Sequence, residues 1–138
     1  MKDIFCRIID GEIPCAKVYE DDDVLAILDI SQTTKGHTLV IPKAHCSDFL
    51  SAPKETLDKV FAVAQRIGQA QISMLGAKGV NILSNVGTEA GQSVPHFHVH
   101  VIPRYGKDSG FQVTMKEQDI SSVDLPRLAC VIKEGIKE

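Results

Sequence analysis

Apolar residues recur along this chain with two different periods, and the change of period divides it into elements. Lys17-Val18-Tyr19-Glu20 reads as a strand. Val24-Leu25-Ala26-Ile27-Leu28-Asp29-Ile30 reads as a second, covered on both faces until it reaches Asp29. His37-Thr38-Leu39-Val40-Ile41-Pro42 is a third, stopped by its proline. The acidic run Glu20-Asp21-Asp22-Asp23 between the first two is a solvated hairpin turn. From Pro53 to about Met74 the period lengthens, and Leu57, Val60, Phe61, Ala64, Ile67 and Ile72 form the stripe of a long helix. Ser51 or a neighbour is the expected cap, and Gly76 and Gly79 the stop. Val80 to Asn85 returns to a strand pattern, and Gly87 to Gly91 is a glycine-rich turn. Ile4 to Ile9 suits a turn of helix before Asp10-Gly11, and Leu125 to Ile136 a short C-terminal helix. With no repeat, low-complexity tract or linker, the pattern predicts one α+β domain over residues 1–138, built on four or five antiparallel strands and one long helix.

The alternation is clearest in His96-Phe97-His98-Val99-His100-Val101-Ile102, where three of the five histidines fall at i, i+2 and i+4. Period two predicts three imidazoles on one face of a strand and an apolar face behind them. Neighbouring members of such a row lie roughly 6.7 Å apart, since each strand residue rises about 3.3 Å. Two of them can share a metal ion; alternatively, each meets a different atom of one ligand the size of a phosphate ester. Imidazole is half-titrated near neutral pH and can attack, donate or accept there. The plain alternative is a solvated polar face, which explains one histidine better than three behind a Gly91-Gln92-Ser93 turn. That turn offers backbone amides to an anion but lacks the Gly-Lys-Ser/Thr ending of a P-loop. His37 opens its strand, so its ring either points to the same site or caps a turn. Asp29 is either a surface carboxylate or a ligand for sugar hydroxyls.

Composition narrows the setting. Apolar residues make up 43% and charged residues 24%, ordinary values for a soluble domain. The net charge of −3 argues against a nucleic-acid surface, which needs a basic face. The four cysteines form no Cys-x-x-Cys pair, the first residues contain no apolar signal segment, and no run is long enough for a bilayer. A reducing, cytoplasmic setting away from membranes is expected.

Gly36-His37-Thr38-Leu39-Val40-Ile41-Pro42, Asn85, and Gly91-Gln92-Ser93-Val94 followed by His-x-His-x-His together resemble the histidine triad superfamily, in its Hint branch of purine nucleotide phosphoramidases and related hydrolases. The likeness runs from Ile4-Phe5 to Tyr105. It implies a five-stranded antiparallel sheet with a long helix, and a homodimer that joins two sheets into one. By position, His98 resembles the nucleophile, His100 a donor to the α-phosphate, His37 the supporting histidine and Asp29 the ribose ligand. Asn85, Gly91, Gln92, Ser93 and Val94 resemble the surroundings of the phosphate and leaving group. Phe5, Ile8, Ile13, Ile27, Leu28 and Ile30 resemble the base pocket and its rim. Catalysis in this branch requires no cofactor. Some bacterial relatives hold a structural zinc, and Cys6, His45 and His96 match three of its ligands, with Asp3 where those proteins carry a cysteine. The resemblance therefore implies a purine nucleotide ligand of the AMP or GMP type, cleaved through a nucleotidyl-histidine. The competing readings are a zinc-dependent hydrolase using His-x-His, and a nucleotide-binding adaptor with vestigial activity.

Overall fold

The computed structural model describes residues 2–137 and contains five strands: β1 (Lys17–Glu20), β2 (Val24–Leu28), β3 (Thr38–Pro42), β4 (Gly79–Leu83) and β5 (Val99–Arg104). They pair antiparallel throughout, in the order β1-β2-β3-β5-β4. Helix α1 (Ile4–Ile9) precedes the sheet, α2 (Lys54–Leu75) lies between β3 and β4, and α3 (Leu125–Gly135) ends the chain. The five-stranded antiparallel sheet with one long helix is thus the α+β architecture that the pattern predicts.

Strand alternation divides the core in two. Val24, Ala26, Val40, Phe97, Val99 and Val101 face α2 and pack against its Val60, Val63, Ala64 and Ile67. Leu25, Ile27, Leu39 and Ile41 face the other way and are covered by Phe5 of α1. Both central strands, β2 and β3, are therefore apolar on both faces, as the runs in their sequences require. The register places Leu39 opposite both Ile27 of β2 and His100 of β5, so His100 belongs to the α1 side of the sheet.

Several boundaries differ from the sequence expectation, each for a local reason. The long helix is capped by Pro53 without a side-chain hydrogen bond, because the Ser51 hydroxyl is engaged with the Asp48 carbonyl. Gly76, at φ 73°, ends α2 in the left-handed conformation, whereas Gly79 opens β4. The helix stripe turns towards Val60, Val63, Ala64, Ile67 and Gln71, leaving Phe61 and Ile72 exposed. The ladder of β5 begins only at Val99, so His96 and His98 lie in the bend before it rather than in a strand. The acidic run does form the β1–β2 turn, with Asp21 Oδ1 accepting from the amides of Asp23 and Val24. None of the α3 residues is buried.

Candidate active site

The bend from Val94 to His98 is fixed on one side by Phe97. Its amide donates to the Cys46 carbonyl at 2.7 Å and its ring is buried in the α2-side core. Burying Phe97 there turns the flanking histidines to the α1 side. His98 Nδ1 lies 2.7 Å from its neighbour His96's carbonyl oxygen. A carbonyl only accepts, so Nδ1 carries the proton and Nε2 keeps a free lone pair. The Phe5 ring meets the His98 ring edge-on, with centroids 4.8 Å apart, and holds its plane. Burial is the main reason that the His98 pKa falls below its ordinary value.

His100 follows in the ladder, its ring 5.0 Å from that of His98. Its Nδ1 lies 2.9 Å from His37 Nε2. The direction of this bond follows from the other end of His37, where Nδ1 receives the Thr33 amide at 3.5 Å and lies 3.1 Å from the Thr33 hydroxyl. An amide only donates, so His37 Nδ1 accepts and its Nε2 donates to His100 Nδ1. The remaining proton of His100 then sits on Nε2. Neighbouring rings thus carry opposite character, a free lone pair on His98 Nε2 and an N–H on His100 Nε2. Burial, followed by the proximity of His98 and His37, pulls the His100 pKa down to about 4, and burial lowers that of His37. Asp29 Oδ2 stands 3.8 Å from His37 Nε2.

These groups border a cleft of ≈ 410 Å³ on the α1 side of the sheet, within the size range of small-molecule sites. Phe5, Ile8, Ile13, Ile27, Leu28 and Ile30 all line it, and at its polar end are Asp29, Ser93, His98 and His100. Val94 lines it too, together with Pro14, Cys15 and Leu39, which sequence reasoning passed over. His37 lies behind His100 rather than on the cleft wall. Asn85, Gly91 and Gln92 also lie off the wall and shape the preceding loop. Gln92 Oε1 accepts from the Gly87 amide, its Nε2 donates to the carbonyls of Ser47 and Val94, and Asn85 reaches the Gly91 carbonyl at 3.4 Å. Gly91 itself, at φ 94°, needs the left-handed conformation that lets the loop turn.

His96 leaves the row altogether. Its ring is fully buried and its Nε2 donates to the Pro42 carbonyl at 3.0 Å. Its Nδ1 faces Asp3 Oδ2 at 3.1 Å and Cys6 Sγ at 3.6 Å. The expected single row of three imidazoles is therefore split, with the Phe5 ring packed against both His96 and His98. Asp3 caps α1 through Oδ1, which accepts from the Cys6 amide and leaves Oδ2 to face the two imidazoles. His45 Nε2 is 3.3 Å from that same Oδ2 and 3.0 Å from the Pro95 carbonyl. The four residues matched to a zinc set by resemblance are thus gathered in one place.

Two further residues hold the histidines from behind. Thr33 fixes the His37 tautomer, and Gln71 of α2 donates to the carbonyls of Gly36 and Val101, each adjacent in sequence to one histidine of the bonded pair. A glutamine in the middle of an apolar helix stripe was the one available signal for the second; nothing marked the first.

Comparison with known proteins shows the family to which this fold belongs. Residues 10–107 match the HIT domain, and the chain belongs to that family. A crystal structure of a HIT family member from Bacillus subtilis is 45% identical and superposes with a TM-score of 0.93, covering 100% of this chain and 99% of that one. The adenosine 5'-monophosphoramidase hnt1 of Schizosaccharomyces pombe is 36% identical over 137 residues, 99% of this chain and 100% of that protein. A zinc-bound histidine triad family protein from Mycobacterium smegmatis is 39% identical with a TM-score of 0.75, covering 96% of each chain.

Proposed function

We propose that this protein hydrolyses purine nucleoside 5'-phosphoramidates or related nucleotidyl conjugates through a covalent nucleotidyl-histidine, releasing the nucleoside monophosphate. The observation that carries the reading is the opposite character of the two Nε2 atoms at the polar end of an apolar cleft. The base lies between the Phe5, Ile8 and Ile27 side chains, and Asp29 accepts the ribose hydroxyls. His98 Nε2 attacks the α-phosphorus, forming a P–N bond as the bond to the departing amine breaks. The His100 N–H and the Ser93 amide stabilise the negative charge on the phosphoryl oxygens, whereas the Gly91 and Gln92 amides are committed to the carbonyls of Thr88 and Gly87. Ser93 helps to protonate the amine. Water then attacks phosphorus and returns the electron pair to His98. The fission-yeast relative is an adenosine 5'-monophosphoramidase, an activity of this kind.

Two in-line displacements invert phosphorus twice. A chiral α-phosphorothioate substrate should therefore give product of retained configuration, and inversion would overturn the covalent route. His98→Ala should lower turnover by several orders of magnitude, because the adduct has no other acceptor.

The same reading extends to zinc and to assembly. Asp3, Cys6 and His96 each offer a ligand atom within 4.8 Å of the others, and the 3.1 and 3.6 Å separations of His96 Nδ1 from Asp3 Oδ2 and Cys6 Sγ are near the roughly 3.3–3.8 Å between ligand atoms of a tetrahedral zinc with bonds of about 2.0–2.3 Å. His45 completes the set if its Nε2 leaves the Pro95 carbonyl. Burial pushes the Cys6 thiol pKa up, so a cation is what would hold it as thiolate. Such an ion would tie α1 to the bend before β5 and so act structurally. A homodimer in which β4 edges meet fits the free edge of the sheet, where Ile82 and Leu83 are exposed.

A further inference from the structure

Asp29, His37 and His100 each offer a metal-ligating atom within 4.8 Å of the others, in a place distinct from the Asp3, Cys6 and His96 cluster. His37 Nε2 and His100 Nδ1 are 2.9 Å apart, and His37 Nε2 is 3.8 Å from Asp29 Oδ2. Two nitrogens bound to one tetrahedral zinc at about 2.05 Å stand roughly 3.4 Å apart. The two contacts thus bracket what an ion needs, one opening by about 0.5 Å and the other closing by about 0.4 Å. Asp29 and His100 line the cleft, so an ion has a path inward.

We propose that Asp29, His37 and His100 form a second, inhibitory site for a borderline divalent ion of the zinc class, one that competes with the nucleotide's sugar for the Asp29 carboxylate. Two imidazoles and one carboxylate suit zinc, cobalt or nickel better than calcium or magnesium, which prefer all-oxygen sets. Three protein ligands leave a fourth position for water. The proton now between the two rings has somewhere to go. His37 takes it on Nδ1 and donates it to the Thr33 hydroxyl 3.1 Å away, so that Nε2 is freed without a net change in charge on the pair. The Thr33 amide contact, at 3.5 Å the weakest in the set, is the bond given up. The ion takes over the Asp29 oxygen that the proposed reading assigns to ribose. Its effect is therefore exclusion of nucleotide; the competition rests on that reading, whereas the binding of the ion does not.

Zinc uptake by the full chain can be counted by calorimetry and metal analysis in the wild type, Asp29→Asn and His37→Gln, with far-UV circular dichroism confirming that each is folded. Any zinc at the Asp3 cluster is common to all three. The wild type should bind one equivalent more than either variant. A missing outer partner already costs a metal site roughly 10–100-fold in affinity, so loss of a ligand should cost at least as much. AMP as the probe should weaken that additional equivalent, and zinc should weaken AMP by the same factor. Equal uptake by the three proteins would overturn the site. An additional equivalent indifferent to bound AMP would overturn the competition. If AMP failed to bind at any zinc level, the nucleotide reading would fall while the count still decided the metal site.

Discussion

His37 Nε2 donates to His100 Nδ1 across 2.9 Å, joining the first residue before β3 to the second residue of β5. The bond sets which nitrogen of His100 faces the cleft with a proton. The His100 N–H that this bond aims donates to a phosphoryl oxygen as it gains charge, a contact worth about 1.5–3 kcal/mol, so His37→Ala should lower turnover roughly ten- to a hundredfold. Steady-state kinetics should show the loss in kcat, with KM for the nucleotide less affected. An unchanged kcat would mean that His100 is oriented without His37.

Acid should act on stability before it acts on the chemistry. Burial lowers the pKa of His37, His98 and His100, the last to about 4 under the added influence of His98 and His37 and against the opposing charge of Asp29. The folded protein thus keeps these rings neutral where the unfolded chain, titrating near 6.5, takes up protons. Their contribution is complete above 6.5 and is lost as pH falls towards 4. Thermal melts between pH 7 and 4 should show a declining Tm, and turnover per folded molecule should fall off only in the lower part of that range. Replacing His37 with Gln should make the Tm profile less steep.

Gln71 sits in the buried stripe of α2 and donates to the carbonyls of Gly36 at 3.0 Å and Val101 at 3.1 Å. Gln71→Leu leaves both carbonyls without this donor and should destabilise the protein by about 1–3 kcal/mol. Denaturant unfolding measures the loss directly.

Gly36 has φ 101°, and a Cβ there would meet Leu75 Cδ1 at 2.6 Å. Gly36→Ala therefore combines a strained backbone with a clash, immediately before His37. Both stability and kcat should fall, and Leu75→Ala in the same chain should recover only the part that is due to the clash.

If α3 and the β4 edge serve a second copy of the chain, removing residues 112–138 should leave the Tm of the remaining body nearly unchanged. The reason is that no α3 residue is buried against the body. Sedimentation should show weaker self-association in the shortened chain. A large fall in Tm at protein concentrations too low for dimers would mean that the segment stabilises its own body.

The elements were legible because their periods differ. The runs through β2 and β3 announced strands covered on both faces, and the long stripe announced α2. The six apolar positions matched to the base pocket all line the cleft, and the His98 and His100 side chains reach its polar end. What period could not tell was where the strand begins. Strict alternation from His96 to His100 implies one face throughout, but the ladder starts at Val99, and the preceding bend sends His96 to Asp3 and Cys6. Thr33 and Gln71 escaped notice because their roles depend on partners that only tertiary structure supplies. Residue type points to Ser51 or a neighbour as the cap, but the Ser51 hydroxyl is committed to the Asp48 carbonyl and Pro53 takes the position without a side-chain bond.

The sequence separation of 63 between His37 and His100 also bears on how the protein comes into being. A ribosome adding roughly 5–20 residues per second delivers the second histidine about 3–13 s after the first. Phe5, Ile8, Ile13 and Ile27, which make the apolar half of the cleft, have all emerged by then. Through that interval the nascent chain holds the apolar residues of the cleft without His98 or His100. The polar end of the site is therefore supplied late in synthesis, by the strand that lies between β3 and β4.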